Sequence, residues 1–125
     1  VADQVGCPTS TSGLAAACWR VIVRGRQLSS DAKYGQPLLP ILHWSDAGAA
    51  SWYDFAVAIG ELAVAAGLLQ QAAVVKPITT ADYPTPARRP SYSLLACSAS
   101  SAALGLEPQH WREALKAVIA VLASA

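Results

Sequence analysis

"LLPILHWSDAGAASWYDFAVAIGELAVAAG" (Leu38–Gly67) changes its hydrophobic period partway along, and that change sets the fold class. Leu38 to Ser45 is a short apolar run bounded by proline and by D-A-G at 46–48. Its length and flanks predict a buried strand. Ser51 and Asp54 follow in S-W-Y-D, the spacing of a reciprocal helix cap. Phe55, Ile59, Leu62 and Ala66 then recur at i, i+4, i+7 and i+11, one face of a helix that Gly67 can end. A strand leading into a helix predicts an α/β unit.

The same alternation extends in both directions. Residues 1–9 read as a short strand entering a Pro-Thr turn. Ser10, Thr11 or Ser12 can cap a helix with Leu14, Cys18, Val21 and Ile22 on its buried stripe and Gly25 at its end. Residues 26–37 are polar, with Gly and Pro, and predict an exposed loop or insertion. Ala73 to Ile78 reads as a second strand, and Tyr92 to Ala96 as a short extended piece after a Pro-rich loop. A short helix is expected near 98–104, stopped by Gly105. The last helix has Pro108 in its first turn. Trp111, Leu115, Val118, Ile119 and Leu122 line one of its faces, and Arg112, Glu113 and Lys116 the other. The sum is about four helices with short strands, in one domain of 125 residues.

Composition narrows the function classes. Only 14% of residues are charged, against 54% hydrophobic, and mean hydropathy is +0.34. A free-standing domain usually has about a quarter charged residues. Either the chain is simply rich in alanine, or it has an apolar face meant for a neighbour. It holds no Met and opens at Val1, so we expect further polypeptide upstream. A net charge of +1 provides no field for nucleic acid. The longest apolar stretch, Phe55 to Leu69, is 15 residues with Glu61 inside, short of the roughly 20 that cross a bilayer. Cys7, Cys18 and Cys97 form no C-x-x-C, so neither a disulfide framework nor a zinc site is expected. Three free, mostly buried thiols suit a reducing cytoplasm.

Several catalytic patterns are missing. No two glycines form G-x-G, no phosphate-loop motif occurs, and no Tyr has a Lys four residues later. His43 reads as a strand histidine with a backbone partner, and His110 as an exposed residue in the last helix's first turn. Ser, His and Asp are all present, but no G-x-S-x-G marks a nucleophile. The best local signal is "YPTPARRPSYS" (Tyr83–Ser93), where Arg88 and Arg89 sit among Pro84, Pro86 and Pro90. An arginine fork suits phosphate, and a proline frame reduces the entropy lost on ordering the loop. Tyr83 and Tyr92 can stack on a base or sugar. The alternative is a solvated loop whose arginines pair with Asp82 or Glu107. A second signal is Asp3 and Gln4 at a strand end, where open α/β sheets place ligands, unless they only shape a turn.

"VADQVGCPT", "LHWSDAGAASWYDFAVAI", "VKPITTADYPTPARRPSYSLL" and "WREALKAVI" occur in the order and spacing of one family. The chain resembles the C-terminal part of the dTDP-4-dehydrorhamnose reductases, over nearly its whole length. These are NADPH-dependent, extended short-chain dehydrogenase/reductases. The resemblance implies a substrate-binding domain at 1–125, the small portion of a Rossmann-type reductase with the cofactor-binding part absent. It implies a dTDP-sugar ligand held by Arg89, Arg88, Gln4, Asp3 and Tyr92, with Arg89 the strongest candidate for the diphosphate. It implies no catalytic residue and no metal ligand here, NADPH bound by the parent protein and not by this portion, and an N-terminal Rossmann domain as partner. This portion alone is then expected to be inactive. The chain departs from the family pattern after the loop: in "SLLACSAS", Ala96 stands for an Asp and Ala99 for a Lys. The other readings are a non-catalytic binding or regulatory subunit of the same fold, or a self-associating interaction module.

The low charge predicts that the isolated chain self-associates, a homodimer included, through its apolar face. Sedimentation at high concentration should show species larger than monomer. A clean monomer with no dye-binding apolar patch excludes this.

Overall fold

Val5 has backbone partners on both sides. In the computed structural model, which describes residues 1–30 and 41–124, β1 (Val5–Gly6) pairs antiparallel with β2 (Ala50–Ser51). Val5 lies opposite Ser51, and Gly6 opposite Ala50. On the other side, Val5 N–H donates to Ser91 O at 2.9 Å and Ser93 N–H donates to Val5 O at 2.8 Å, a parallel bridge to Tyr92. Side chains are described for all these residues except 27–30.

Four helices surround this small sheet: α1 (Thr11–Ser30), α2 (Trp52–Ala65), α3 (Ser98–Leu104) and α4 (Trp111–Ala123). The reciprocal cap expected at S-W-Y-D forms. Asp54 N–H donates to Ser51 Oγ at 3.1 Å, while Asp54 Oδ2 accepts from Ser51 N–H at 2.9 Å and Ser51 Oγ at 2.7 Å. Two of the three expected glycine stops hold, and Gly25 does not. Gly67 and Gly105 have φ of 75° and 58°. Each lets the next residue's N–H reach back to the helix, Leu68 to Ala63 O and Leu106 to Ser101 O. Ser10 is the residue that caps α1, its Oγ accepting from Gly13 N–H at 3.1 Å.

Ala50, Ala58 and Trp111 form the core, with Cys7, Phe55 and Leu115 packed against them. The Phe55 and Trp111 rings meet edge-on, 6.1 Å apart at 71°. Ala47 docks α4 by exchanging backbone bonds with Gln109 and Trp111, at 2.8 and 2.9 Å. Among the described residues no helix is long and apolar enough to cross a membrane.

Several expectations are corrected. α1 runs through Gly25 to Ser30, so residues 26–30 are helical where a loop is expected; 31–37 lie outside the described residues. Its expected buried stripe is largely open: Leu14, Cys18 and Ile22 are exposed, and Ala17 is the buried residue. Residues 41–45 of the expected 38–45 strand are not a strand, and 38–40 lie outside the described residues. The segment is held instead by His43 N–H donating to Ser100 Oγ and by the bridge at Ala47. Residues 73–78 form no strand either. Pro77 offers no N–H, and the segment's backbone tie is Ile78 O, which accepts from Ala2 N–H at 2.8 Å. Pro108 precedes α4, whose N-cap is His110. Cys18 is exposed, and Cys7 and Cys97 are half-buried; all three are free thiols.

Ser51 holds β2 and starts α2, so Ser51→Ala should lower stability by about 1 kcal/mol, with Ser51→Thr milder. A thermal melt followed by circular dichroism should show a fall in Tm of a few degrees. An unchanged Tm removes the cap from the account.

Candidate functional site

The Pro-rich loop faces an open cleft of about 1090 Å³. β1 and the Pro8 turn form one part of its wall, β2 and the first turn of α2 another, and residues 83–90 a third. Arg89 lines the cleft. Neither arginine pairs with Asp82, which is occupied with Thr79: its Oδ2 accepts from Thr79 N–H at 2.8 Å and from Thr79 Oγ1 at 2.7 Å. Those bonds, the hydroxyl's first, hold the Asp82 carboxyl below its ordinary pKa. Arg89 has no ion-pair or hydrogen-bond partner among the described residues. Its guanidinium is therefore available to an anion in the cleft.

The structure separates the five expected ligand residues. Arg89 and Gln4 line the cleft; Arg88, Asp3 and Tyr92 do not. Gln4 Nε2 donates to Thr80 Oγ1 at 3.1 Å. That hydroxyl in turn donates to Asp3 Oδ1 at 2.8 Å. Thr80 N–H donates to both Asp3 oxygens, at 2.9 and 3.0 Å. Asp3 thus ties the 80–82 turn to the N-terminal segment, and the Thr80 N–H and hydroxyl hold its pKa below the ordinary value. Tyr92 contributes backbone to the bridge with Val5, and its ring is exposed.

Of the other cleft residues, Tyr83 is a stacking candidate in the sequence and Trp52 is not. Trp52 and Tyr83 line the cleft with 64% and 62% of their surface exposed. Trp52 stands in the first turn of α2, three residues before Phe55, which packs against the core. Cys7 also lines the cleft. Its thiol donates to Asp46 O at 2.8 Å. Burial first, then the Asp46 charge, raises its pKa, so it stays a protonated thiol. His43 is exposed on the surface, and His110 Nδ1 accepts from Arg112 N–H at the start of α4. Among the described residues no cluster of three metal-ligating side chains occurs.

The two helices nearest the cleft have their N-termini already closed. Asp54 fills that of α2. Buried Asp46 fills that of α1, its Oδ2 accepting from Ser10 N–H at 2.8 Å. Neither helix end therefore offers open N–H groups and unopposed positive potential to an anion.

These features define a small α/β domain built around a substrate-sized cleft. Residues 1–124 match the model of the RmlD substrate binding domain, and the chain belongs to that family. It is 40% identical over 119 residues to a dTDP-4-dehydrorhamnose reductase of Aggregatibacter actinomycetemcomitans, covering 93% of this chain and 37% of that one. A dTDP-4-dehydrorhamnose reductase of Mycolicibacterium smegmatis is 39% identical over 126 residues, covering 100% of this chain and 33% of its own. The crystal structure of a dTDP-4-dehydrorhamnose reductase from Clostridium acetobutylicum superposes with a TM-score of 0.70 at 37% identity, over 98% of this chain and 37% of that one. The chain thus spans little more than a third of these relatives' length.

Because Asp3, Asp54 and Asp82 all have lowered pKa values, their contribution to stability is full above about pH 4 and is lost as pH falls through the folded-state values. Asp3→Asn should flatten the loss of stability below about pH 4. Denaturant midpoints at stepped pH measure it, and a slope equal to that of the parent shows that the Asp3–Thr80 tie does not contribute.

Proposed function

We propose that this chain is the substrate-binding part of an NADPH-dependent reductase that converts dTDP-4-dehydro-L-rhamnose to dTDP-L-rhamnose. The observation that carries the reading is Arg89: a guanidinium with no partner among the described residues, in a proline-framed loop at an apolar-walled cleft, in a member of the RmlD substrate binding domain family. The relatives named as dTDP-4-dehydrorhamnose reductases supply the substrate class.

In such a reaction the cofactor supplies a hydride. The residues present here do not fit a dinucleotide. No G-x-G occurs, and the N-termini of α1 and α2 hold carboxylates where a pyrophosphate would sit. We assign cofactor binding and proton donation to the portion of the reductases that this chain does not span. The share of this chain is positioning. Arg89 holds the diphosphate, and Gln4, oriented by Thr80, lies within the same cleft. Holding a substrate in register can be worth several kcal/mol of barrier, so a positioning domain with no reacting group still governs the rate.

Arg89→Ala should weaken dTDP binding by about ten-fold or more, and Arg24→Ala, on the exposed surface of α1, by less than about two-fold. Calorimetric titration of the complete gene product measures both. Equal effects overturn the role of the loop. The complete product should reduce the 4-keto sugar with NADPH, and residues 1–125 alone should not.

A further inference from the structure

Two of the three thiols meet at one point of the fold. The Cys7 thiol, on the cleft wall, donates to Asp46 O at 2.8 Å. Ser45 Oγ donates to the same carbonyl at 3.0 Å and lies 3.5 Å from Cys97 Sγ. One carbonyl and one hydroxyl, on adjacent residues, thus link the two sulfurs. Ser45 and Asp46 are both buried, so the link is internal, while each sulfur belongs to a half-buried residue and is free. The two thiols also sense each other's charge: behind burial and the Asp46 carboxylate, Cys97 helps to raise the Cys7 pKa. Cys18, the third thiol, is exposed on α1.

Metal binding does not account for the pair, since no cluster of three metal-ligating side chains occurs among the described residues. Two cysteines far apart in sequence that meet in the fold have one reaction that a lone thiol lacks. We propose that Cys7 and Cys97 form a redox pair that closes to an intramolecular disulfide when the protein meets a peroxide. The peroxide passes one oxygen to the first sulfur, giving a sulfenic acid, and its remainder leaves as water. The second sulfur attacks the first. The S–S bond forms, the S–O bond breaks, and the hydroxyl departs as water with the second thiol's proton. Two electrons pass from the thiols to the peroxide. To reach its partner, Cys7 gives up its bond to Asp46 O, a weak one because a thiol is a weak donor. Cys7 rests as a protonated thiol, so the reduced form persists until an oxidant arrives. The closed bridge ties the cleft wall after β1 to the start of α3, where no side chain caps the helix.

The test treats the complete gene product with hydrogen peroxide under native conditions, blocks the remaining free thiols by alkylation, and maps the digest by mass spectrometry. The peptide holding Cys97 should be joined to the peptide holding Cys7, and dithiothreitol should release it. No Lys or Arg separates Cys7 from Cys18, so trypsin leaves both in one peptide and variants make the assignment. Cys18→Ser should keep the crosslink in full, and Cys7→Ser should lose it. The same treatment in urea controls for folding: it should lower the Cys7–Cys97 share and raise that of Cys18–Cys97. A crosslink that survives Cys7→Ser overturns the pair, as does oxidation that only joins two copies through Cys18. Free Cys7 and Cys97 in the treated native protein, with crosslinking in the unfolded chain, also overturns it, since the fold then holds the sulfurs apart. The proposal stands or falls apart from the reading of the cleft, because no ligand enters its test.

Discussion

The double pairing of Val5 is the constraint on which the cleft depends. One residue has the start of α2 on one side and the end of the Pro-rich loop on the other. Those two elements come from residues 50–55 and 83–93, far apart in sequence, and they bring Trp52 and Arg89 to the same cleft. Each pairing is short, a two-residue ladder and a single bridge, and an isolated pair of strands this short is not stable alone. It persists because the packing beneath it is cooperative. Ala50 of β2 sits in the same cluster as Ala58 and Trp111, with Cys7 and Phe55 against it. The sheet aligns the walls of the cleft, and the helices hold the sheet.

A second constraint is where the negative charge goes. A helix N-terminus attracts anions, and in many nucleotide-binding folds it provides the phosphate seat. Here Asp46 and Asp54 close the ends of α1 and α2, while Asp82 and Asp3 secure the turn at residues 79–82. Four of the chain's acids are thus consumed by its own N–H and hydroxyl groups. Arg89 has no ion-pair partner among the described residues. Pairing of Asp82 with an arginine, one of the alternatives open from the sequence, does not form, because Thr79 and Asp82 stand at capping distance from each other.

Local signals were legible in the sequence, and signals that depend on a distant partner were not. S-W-Y-D reads as a cap because both partners lie within three residues, and Gly67 and Gly105 read as stops because backbone handedness is a local property. The strands at 38–45 and 73–78 were overcalled. An apolar run reports burial, but a strand also needs a neighbouring edge, and 73–78 has one tie at Ile78. Gly25 was read as a stop, but glycine ends a helix only when something captures the chain beyond it. α1 continues to Ser30. Of the residues the sequence singles out, Arg89 and Gln4 line the cleft. Asp3 instead ties a turn, and Tyr92 gives its backbone to the bridge with Val5. Trp52 belongs to no motif in the sequence, and its exposure at the cleft is set by the fold.

α3 begins at Ser98 with Cys97 as its N-cap, and no side chain there accepts from the first N–H groups. The helix is fixed by other means. Ser100 accepts from His43 N–H, and Ser101 Oγ donates to Leu106 O beyond the Gly105 stop. Its buried residues are Ser100, Ser101 and Leu104, so two of three are polar and depend on those bonds. The buried hydrophobic positions elsewhere include Ala17, Ala50, Ala58, Ala63 and Ala114. Residues this small contribute little burial each, while Leu14, Trp19 and Ile22 on α1 remain exposed. A thin alanine core beside an open apolar helix gives a physical reason for the chain's low charge. The apolar surface is present, but much of it faces outward, where a covering surface would add the burial that the interior lacks.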